Sequence, residues 1–380
     1  MIYLTKFETT AEYESFIASD YDKPNVSYCE DNKDVHYNPI QYICKLTLND
    51  GSIVNIEGSG ELTKSMVNSY SATCIEAAIE ESCTSIGGDA FQYCSGLTSV
   101  TISDSVTTIG GGAFSNCTGL TTIAIPDSVT SIGDYAFFYC SGLTSVTIGN
   151  NVTSIGDNTF YNCKGLTSIT IPDSVTSIGN AAFSNCTSLS SITIPDSVTS
   201  IGAGAFTSCS SLTSIAIPNG VTSIGNSTFK YCSSLISVTI PDSVTSIGYG
   251  AFQSCTGLTS VTIPDRVTSI DVSAFQSCTG LTSVTIPDSV TSIGVSAFTW
   301  CSSLTSVTIG SGVTSISSNT FANCSSLTSV TVKATTPPTL GYGTFTQTNN
   351  CPIYVPSQSV ETYKTANRWS SFASRIQAIP

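Results

Sequence analysis

Basic residues are scarce in this chain of 380 residues, which carries 12 Lys and Arg against 26 Asp and Glu. Between residues 94 and 323 the only cations are Lys164, Lys230 and Arg266, against ten Asp. Nucleic acids are bound by neutralising their phosphates, and anionic membranes attract the same basic side chains. The formal net charge of −14 therefore argues against both as partners.

Long apolar segments and signal sequences are also lacking. No stretch approaches the roughly 18–20 consecutive apolar residues of a membrane span, so we expect no membrane insertion. The first residues, MIYLTKFETT, have neither the apolar core nor the cleavage site of a signal peptide. The compartment is left open by these observations.

Groups that carry catalysis are nearly absent. The chain has one histidine, His36, and no GxGxxG, P-loop, HExxH or GxSxG motif. Its 16 cysteines show no CxxC spacing of the kind that zinc sites use. We therefore expect no enzyme, no catalytic residue, no metal site and no cofactor.

A 23-residue repeat fills most of the chain. One unit reads CTGLTTIAIPDSVTSIGDYAFFY, from Cys117 to Tyr139, and Cys is taken as position 1. Apolar residues recur at positions 4, 7, 9, 13, 16, 20 and 21. The cysteines that define this register are Cys94, Cys117, Cys140, Cys163, Cys186, Cys209, Cys232, Cys255, Cys278, Cys301 and Cys324.

The spacing within a unit predicts its local structure. Apolar positions 7 and 9 alternate with small polar residues, as in a half-buried strand. Pro126-Asp127 ends that strand and starts a turn, and Gly133 favours a tight bend. Phe137 and Cys140 lie three residues apart, the spacing at which one helical turn directs both side chains inward. Stacked units would share one core and one parallel strand ladder.

This pattern, LxxVxIPxxVxxIGxxAFxxC, resembles the BspA-like, or treponemal-type, leucine-rich repeat over about two thirds of the chain. The resemblance implies an α/β fold: a right-handed leucine-rich-repeat solenoid of the alpha-beta horseshoe type with a parallel strand ladder. It also implies binding to host proteins or other cells, and a cell-surface or secreted location. Without a signal peptide, cytoplasmic and virion-associated locations stay open.

Sequence changes at both ends divide the chain into four parts. Residues 1–38 form a small module, in which Thr9 and Glu12 match a helix capping box and VSYC and VHY are expected to pair as a hairpin. Residues 39–93 form a cap with a hairpin at Asp50-Gly51, a short helix in ELTKSMVN and a degenerate first repeat. Residues 94–332 are the array. Residues 333–380 form a C-terminal cap with a strand at CPIYVP and a short helix.

Three recurrent groups have alternative interpretations. The repeated cysteines are interpreted as free buried thiols, because side chains in a ladder point the same way and disulfides would pinch coils together in pairs. Asp at position 11, as in Asp127 and Asp288, is interpreted as a turn-capping residue, with calcium binding as the alternative. The Ser/Thr pairs at positions 6 and 8 suggest a solvated strand face, or a hydroxyl lattice that binds ice.

Positions 18, 19, 22 and 23 vary most between repeats and carry aromatic residues. Exposed aromatic side chains are typical of recognition surfaces, although packing between return segments would also explain them. Tyr135, Phe138, Tyr139 and Tyr161 come from adjoining coils and are predicted to share a patch, with Tyr231 and Tyr249 forming a second. The candidate ligand-binding residues are Tyr135, Phe138, Tyr139, Tyr161, Tyr231, Tyr249 and Trp300.

Two functional hypotheses follow. The first is a non-enzymatic recognition or adhesion scaffold that binds a protein or glycan on a cell or host surface through the array. The second is a structural or receptor-binding component of a larger assembly, such as a phage virion, anchored by residues 1–38. Localisation to the envelope or medium, rather than to particles or the cytosol, would distinguish them.

Overall fold

The computed structural model describes residues 3–7, 25–29, 35–38 and 40–380, with side chains from residue 40 onward. The first three segments are the strands Tyr3–Phe7, Asn25–Cys29 and Val35–Asn38. They form one sheet, in which the first pair is parallel and the second antiparallel. The predicted pairing of VSYC with VHY is confirmed. The predicted capping box at Thr9 and Glu12 lies outside the described residues.

The cap before the array begins with a hairpin, as predicted. Strands Tyr42–Leu48 and Ile53–Glu57 pair antiparallel around Asp50-Gly51. Strand Gly60–Leu62 and a short helix, Lys64–Val67, follow, and a 3-10 turn spans Asn68–Tyr70. Strands Cys74–Ile79 and Cys83–Ile86 belong to the degenerate first repeat. The six side chains of this repeat at the core positions of the unit are all buried: Cys74, Ala77, Ile79, Cys83, Ile86 and Phe91.

The array is a solenoid with the predicted parallel ladder. Val146 pairs with Ile123 in the coil before it and with Ile169 in the coil after it. Isolated bridges at Thr193 and Ser260 continue the ladder where no full strand forms. The strands are Ser99–Thr101, Thr122–Ala124, Ser145–Thr147, Ser168–Thr170, Ser214–Ala216, Ser237–Thr239, Ser283–Ile286, Ser306–Ile309 and Ser329–Val332.

A second parallel ladder, which the sequence analysis did not anticipate, runs through positions 15 and 16. It consists of two-residue strands, in most coils a Ser-Ile pair that lies between two turns. The strands are Thr108–Ile109, Ser131–Ile132, Ser154–Ile155, Ser177–Ile178, Ser200–Ile201, Ser223–Ile224, Ser246–Ile247, Ser269–Ile270, Ser292–Ile293, Ser315–Ile316 and Thr339–Leu340.

The return segment of each coil is a series of turns rather than a helix. Phe137 and Cys140 both point inward, as predicted, on a turn that the Cys140 N–H closes by donating to the Phe137 carbonyl at 3.2 Å. A turn begins at Gly133, as predicted, because its carbonyl accepts from the Ala136 N–H at 3.3 Å, although Gly133 itself is not left-handed. The left-handed residues are at positions 19 and 23, as at Tyr135 (φ 61°) and Tyr139 (φ 59°).

Hydrogen bonds to the next coil explain that backbone conformation. The Tyr135 N–H donates to the Asp157 carbonyl at 2.9 Å, and the Tyr139 N–H donates to the Tyr161 carbonyl at 2.8 Å. These bonds join adjacent return segments, so they set the chain direction at two points in each coil. Glycine, which adopts left-handed φ most readily, occupies position 19 at Gly112, Gly204 and Gly250.

A column of phenylalanines fills the core behind the return segments. Position 21 contributes one ring per coil from Phe91 to Phe321, and Phe345 continues the column although it comes one residue late. Neighbouring ring centroids are 5.1 to 5.8 Å apart and neighbouring planes lie within 14° of parallel. Because each ring stacks on the rings of the coils before and after it, each coil's apolar side chains depend on both neighbours.

Beside the phenylalanines runs a column of unbridged, buried cysteines. The Cys140 thiol donates to the Phe114 carbonyl at 3.1 Å, and the other repeat cysteines from Cys117 to Cys324 make the equivalent bond. Burial raises the pKa of the Cys140 and Cys186 thiols to about 12. The sulfur atoms therefore act as small apolar groups with a weak donor.

This arrangement predicts slow thiol chemistry in the native protein. At pH 8, a thiol reagent such as iodoacetamide should leave the repeat cysteines unmodified, because they are buried and their raised pKa keeps them as neutral thiols. After unfolding in guanidinium without reductant, all 16 cysteines of the chain should react. Mass spectrometry of the labelled peptides reads both results. Rapid labelling in the native state, or oxidation of most thiols, would contradict the buried free-thiol column.

The C-terminal cap covers the last coil. It contains strand Ile353–Val355, a 3-10 turn at Ser357–Ser359, helix Val360–Thr365, a 3-10 segment at Trp369–Arg375 and strand Ile376–Ala378. The predicted strand and helix are thus present. Within the described residues, no helix combines the length and the apolar character that crossing a membrane requires.

Candidate functional site

The return edge, defined as positions 18, 19, 22 and 23 of the coils, places four predicted residues in contact. The Phe138 ring centroid lies 5.3 Å from Tyr135, 4.5 Å from Tyr139 and 5.1 Å from Tyr161. Tyr139 and Tyr161 are 5.7 Å apart. We call this cluster the aromatic patch. The predicted proximity of these four side chains is therefore present in the structure.

Exposure distinguishes the patch from the core behind it. Tyr135 and Tyr139 are 46% and 39% exposed, while Phe138 and Tyr161 are half-buried. By contrast, Ala136 and Phe137, between them in sequence, are completely buried. The patch therefore presents a group of contacting aromatic rings to solvent, of which two are exposed and two are half-buried.

The other three candidates stand apart. Tyr231 and Tyr249 make no ring contact with each other among the described residues, so the structure does not form the predicted second patch. The Lys230 ammonium lies 5.0 Å from the centroid of the Tyr231 ring instead. Tyr249 occupies position 18, where its N–H donates to the Asn226 side chain at 3.0 Å. Trp300 is 54% exposed and lies several coils further along.

Backbone conformation makes the aromatic residues at positions 19 and 23 unusual. Tyr135, Tyr139, Tyr231 and Trp300 all have φ between 59° and 64°. Most other coils hold Asn, Ser or Gly in the same places, and of these Gly and Asn tolerate left-handed backbone best. A bulky side chain there carries a conformational cost on the order of 1 kcal/mol.

A groove of about 410 Å³ adjoins the patch toward the N-terminal cap. Its walls include the side chains of Asp89, Tyr93, Asn116, Asp134, Tyr135 and Phe138. Asp134 Oδ1 accepts from the Asp157 N–H at 2.7 Å, and the Asp89 carboxylate lies 3.6 Å from the Lys64 ammonium. The groove therefore combines aromatic rings with exposed carboxylates.

Asp and Asn at position 18 form a ladder that the sequence analysis did not recognise. The side-chain oxygens of Asp134, Asp157, Asn180 and Asn226 each accept from the backbone N–H one coil later, at 2.6 to 3.0 Å. Since Asp and Asn make the same bond, the charge is not needed for it. The only signal in the sequence is the recurrence of Asp or Asn immediately after the position 17 glycine.

The strand face, defined as positions 6 and 8, is uniform and polar. Ser145 and Thr147 are exposed on either side of buried Val146, as predicted for a half-buried strand. Next to this face, threonines at position 5 bind neighbouring coils: the Thr144 hydroxyl donates to the Thr121 carbonyl at 3.0 Å. Position 14 repeats this arrangement, as when Thr176 donates to the Thr153 carbonyl. Many hydroxyls of the array thus have structural roles.

The bonds of Asp at position 11 join neighbouring coils and do not cap the residue's own turn, so the turn-capping interpretation is not confirmed. Asp127 and Asp288 each accept from a backbone N–H one coil later, at 2.7 Å from Asn150 and Ser311 respectively. The bond from Ser311 lowers the pKa of Asp288 below its usual value. In the part of the chain that the structure describes, no three His, Cys, Asp or Glu side chains cluster as a metal site.

Comparison with family models identifies the repeat. Residues 63–172, 153–282 and 268–367 match the BspA type leucine rich repeat region, in six copies. The chain belongs to this family. The match covers the array and the adjoining parts of both caps, which agrees with the stacked coils and the absence of long helices from the array.

Two solved structures of leucine-rich repeat proteins are similar to this chain. A leucine-rich repeat protein from Bacteroides ovatus is 28% identical, with a TM-score of 0.66, and the match covers 80% of this chain and 84% of that one. A leucine rich cell surface protein from Faecalibacterium prausnitzii is 35% identical, with a TM-score of 0.49, covering 74% and 84%. A search of curated proteins finds no match.

Proposed function

We propose that this BspA-type protein is a non-enzymatic recognition scaffold that attaches to a protein or glycan on a cell or host surface through its return edge. The observation that carries the proposal is the aromatic patch. Four rings from two adjoining coils meet there on an exposed edge. Interfaces are enriched in such aromatic anchors, which bury a large apolar area and still offer a polar tip.

Folding requirements do not explain the exposed patch residues. Positions 19 and 23 fold equally well with Asn in the following coil, where Asn158 and Asn162 have the same left-handed backbone. Tyr135 and Tyr139 therefore occupy sites where a smaller residue would relieve conformational cost. Residues held at such a cost cluster at functional sites, which favours a role in binding.

The strand face is a weaker candidate surface. Its exposed side chains are Ser and Thr in nearly every coil, so it offers little apolar area to bury and few differences by which to discriminate a partner. The return edge differs from coil to coil and concentrates its apolar area at one point. Specific recognition requires such differences in affinity.

A variant that copies neighbouring coils tests this proposal. Tyr135→Asn, Phe138→Ser and Tyr139→Asn together, the patch variant, introduce residues that other coils already hold at positions 19, 22 and 23. Attachment to intact epithelial cells and to immobilised surface proteins and glycans should fall, with about 2 kcal/mol or more lost per anchor. Biolayer interferometry and cell-binding assays measure the change.

The control is the melting temperature of the patch variant, which should stay close to that of the unmodified protein. Attachment by the unmodified chain with no loss in the patch variant would refute the proposal. So would failure of the unmodified chain to bind any cell, protein or glycan in the panel.

A further inference from the structure

We propose that the groove beside the aromatic patch binds a positively charged side chain, arginine or lysine, from an exposed segment of a partner protein. This inference rests on the proposed function and specifies its partner. A cation in the groove would meet two complementary features, the faces of aromatic rings and the carboxylates between them. Both attract a desolvated cation more strongly than a neutral group.

The ring contribution comes from Tyr93, Tyr135 and Phe138. Tyr93 is 63% exposed and has a left-handed backbone at position 23, as Tyr139 has two coils later. Phe138 contacts Tyr135 with the ring planes inclined at 66°, which is an edge-to-face arrangement. A cation within about 6 Å of such a ring face gains electrostatic energy from the ring quadrupole.

Asp134 gives the groove its negative charge. It hydrogen-bonds a backbone N–H through one oxygen only, which leaves the other oxygen for a partner's cation. The second carboxylate of the groove, Asp89, lies 3.6 Å from the Lys64 ammonium, which also donates to Gln92 at 2.6 Å. Because the whole chain carries a net charge of −14, a basic partner would also be attracted from a distance.

The chain itself provides two examples of this pairing on the same edge. The Arg368 guanidinium lies 3.8 Å from the ring centroid of Tyr342, which is 73% exposed. The Lys230 ammonium lies 5.0 Å from that of Tyr231. In the described part of the chain, no comparable cation lies over Tyr93 or Tyr135. At the groove, a partner's arginine would make the same cation–ring contact that Arg368 makes with Tyr342 at the C-terminal end.

Asp134→Asn is the decisive variant. Asn180 and Asn226 occupy the same position and make the same bond to the next coil, so this substitution removes one charge and keeps the backbone contact. The matched control is Asp196→Asn at position 11, far from the groove, where the following coil already holds Asn219. Both variants change the net charge equally.

The probes are two short capped peptides that differ only in arginine against citrulline, its uncharged isostere. Titration calorimetry on the full chain should show the arginine peptide binding about tenfold more tightly than the citrulline peptide. Asp134→Asn should weaken the arginine peptide about tenfold, and Asp196→Asn should leave its affinity unchanged. Raising the salt concentration should weaken only the arginine peptide.

Three results would overturn the inference. An equal loss of arginine-peptide affinity in Asp134→Asn and Asp196→Asn would indicate diffuse charge attraction. Equal affinity for the arginine and citrulline peptides would exclude a cation site. A glycan that competes with the peptide at the groove would point to another occupant. If the peptides show no preference but the patch variant still loses attachment, the cation site fails and the proposed function stands. If the patch variant keeps its attachment, the proposed function fails, whatever the peptides show.

Discussion

Phe206→Ala should lower the free energy of unfolding by about 3–5 kcal/mol. The Phe206 ring is completely buried, with its centroid 5.5 Å from Phe183 and 5.6 Å from Phe229. Removing it leaves a cavity in the middle of the column, and the flanking coils cannot close it without breaking their ladder bonds. Since a solenoid is stabilised mainly by contacts between adjacent coils, both neighbours lose part of their stability.

Guanidinium denaturation followed by circular dichroism measures this loss. Ser214→Ala, on the exposed strand face of the next coil, is the control and should change stability by less than about 0.5 kcal/mol. An unchanged midpoint for Phe206→Ala would mean that position 21 does not face a close-packed core, and the register of the repeat would then be wrong.

Trp369→Ala should destabilise the chain by a similar amount, about 3–5 kcal/mol, by opening the C-terminal end of the core. Trp369 is completely buried, lies 5.0 Å from the Tyr363 ring and donates from Nε1 to the Pro338 carbonyl at 2.7 Å. Its loss removes apolar packing at the end of the phenylalanine column and leaves that carbonyl without its partner. The exposed last coil should also promote aggregation.

Thermal melting and light scattering test the role of the cap. Trp369→Phe keeps most of the packing and loses the hydrogen bond, so its cost should be about 1–3 kcal/mol. Trp300→Ala offers a second control, because Trp300 is the other tryptophan and is exposed. If Trp369→Ala melts with the unmodified protein, the terminal segment does not close the core.

Much of the fold followed from the periodicity of the sequence. A cysteine every 23 residues set the register, and alternation around positions 7 and 9 identified the strand of the main ladder. The core position survives a break in the period. The insertion at Pro337-Pro338 displaces Phe345 by one residue, yet its ring centroid still lies 5.8 Å from that of Phe321 in the stacked column. A core position requires a side chain of suitable volume and apolar character, and both properties can be read from the residue type.

The return segment was harder to predict because its conformation depends on neighbouring coils. The left-handed φ of Tyr135 accompanies a hydrogen bond to Asp157, 22 residues later, and no local sequence rule places a tyrosine in that region. The turn that begins at Gly133 was predicted from local sequence, but the left-handed residue two positions later was not. The second ladder at Ser131–Ile132 is too short to show a period.

The candidate site was predictable where stacking alone decides proximity. Tyr139 and Tyr161 contact each other because they occupy neighbouring positions of adjacent coils. Tyr231 and Tyr249, five positions apart within the repeat, point to different parts of the edge. Tyr342 was missed because it follows the break in the period, and Arg368 reaches its ring only through the folding of the cap.

The central claim is that recognition uses the aromatic patch and not the strand face, and a side-by-side binding measurement tests it most directly. The strand-face variant combines Ser145→Lys, Thr147→Lys and Thr170→Lys, all at exposed strand positions of the two coils that follow Tyr139. We predict that it attaches like the unmodified protein while the patch variant, equally folded, loses attachment. Loss of attachment by the strand-face variant with retention by the patch variant would contradict the claim.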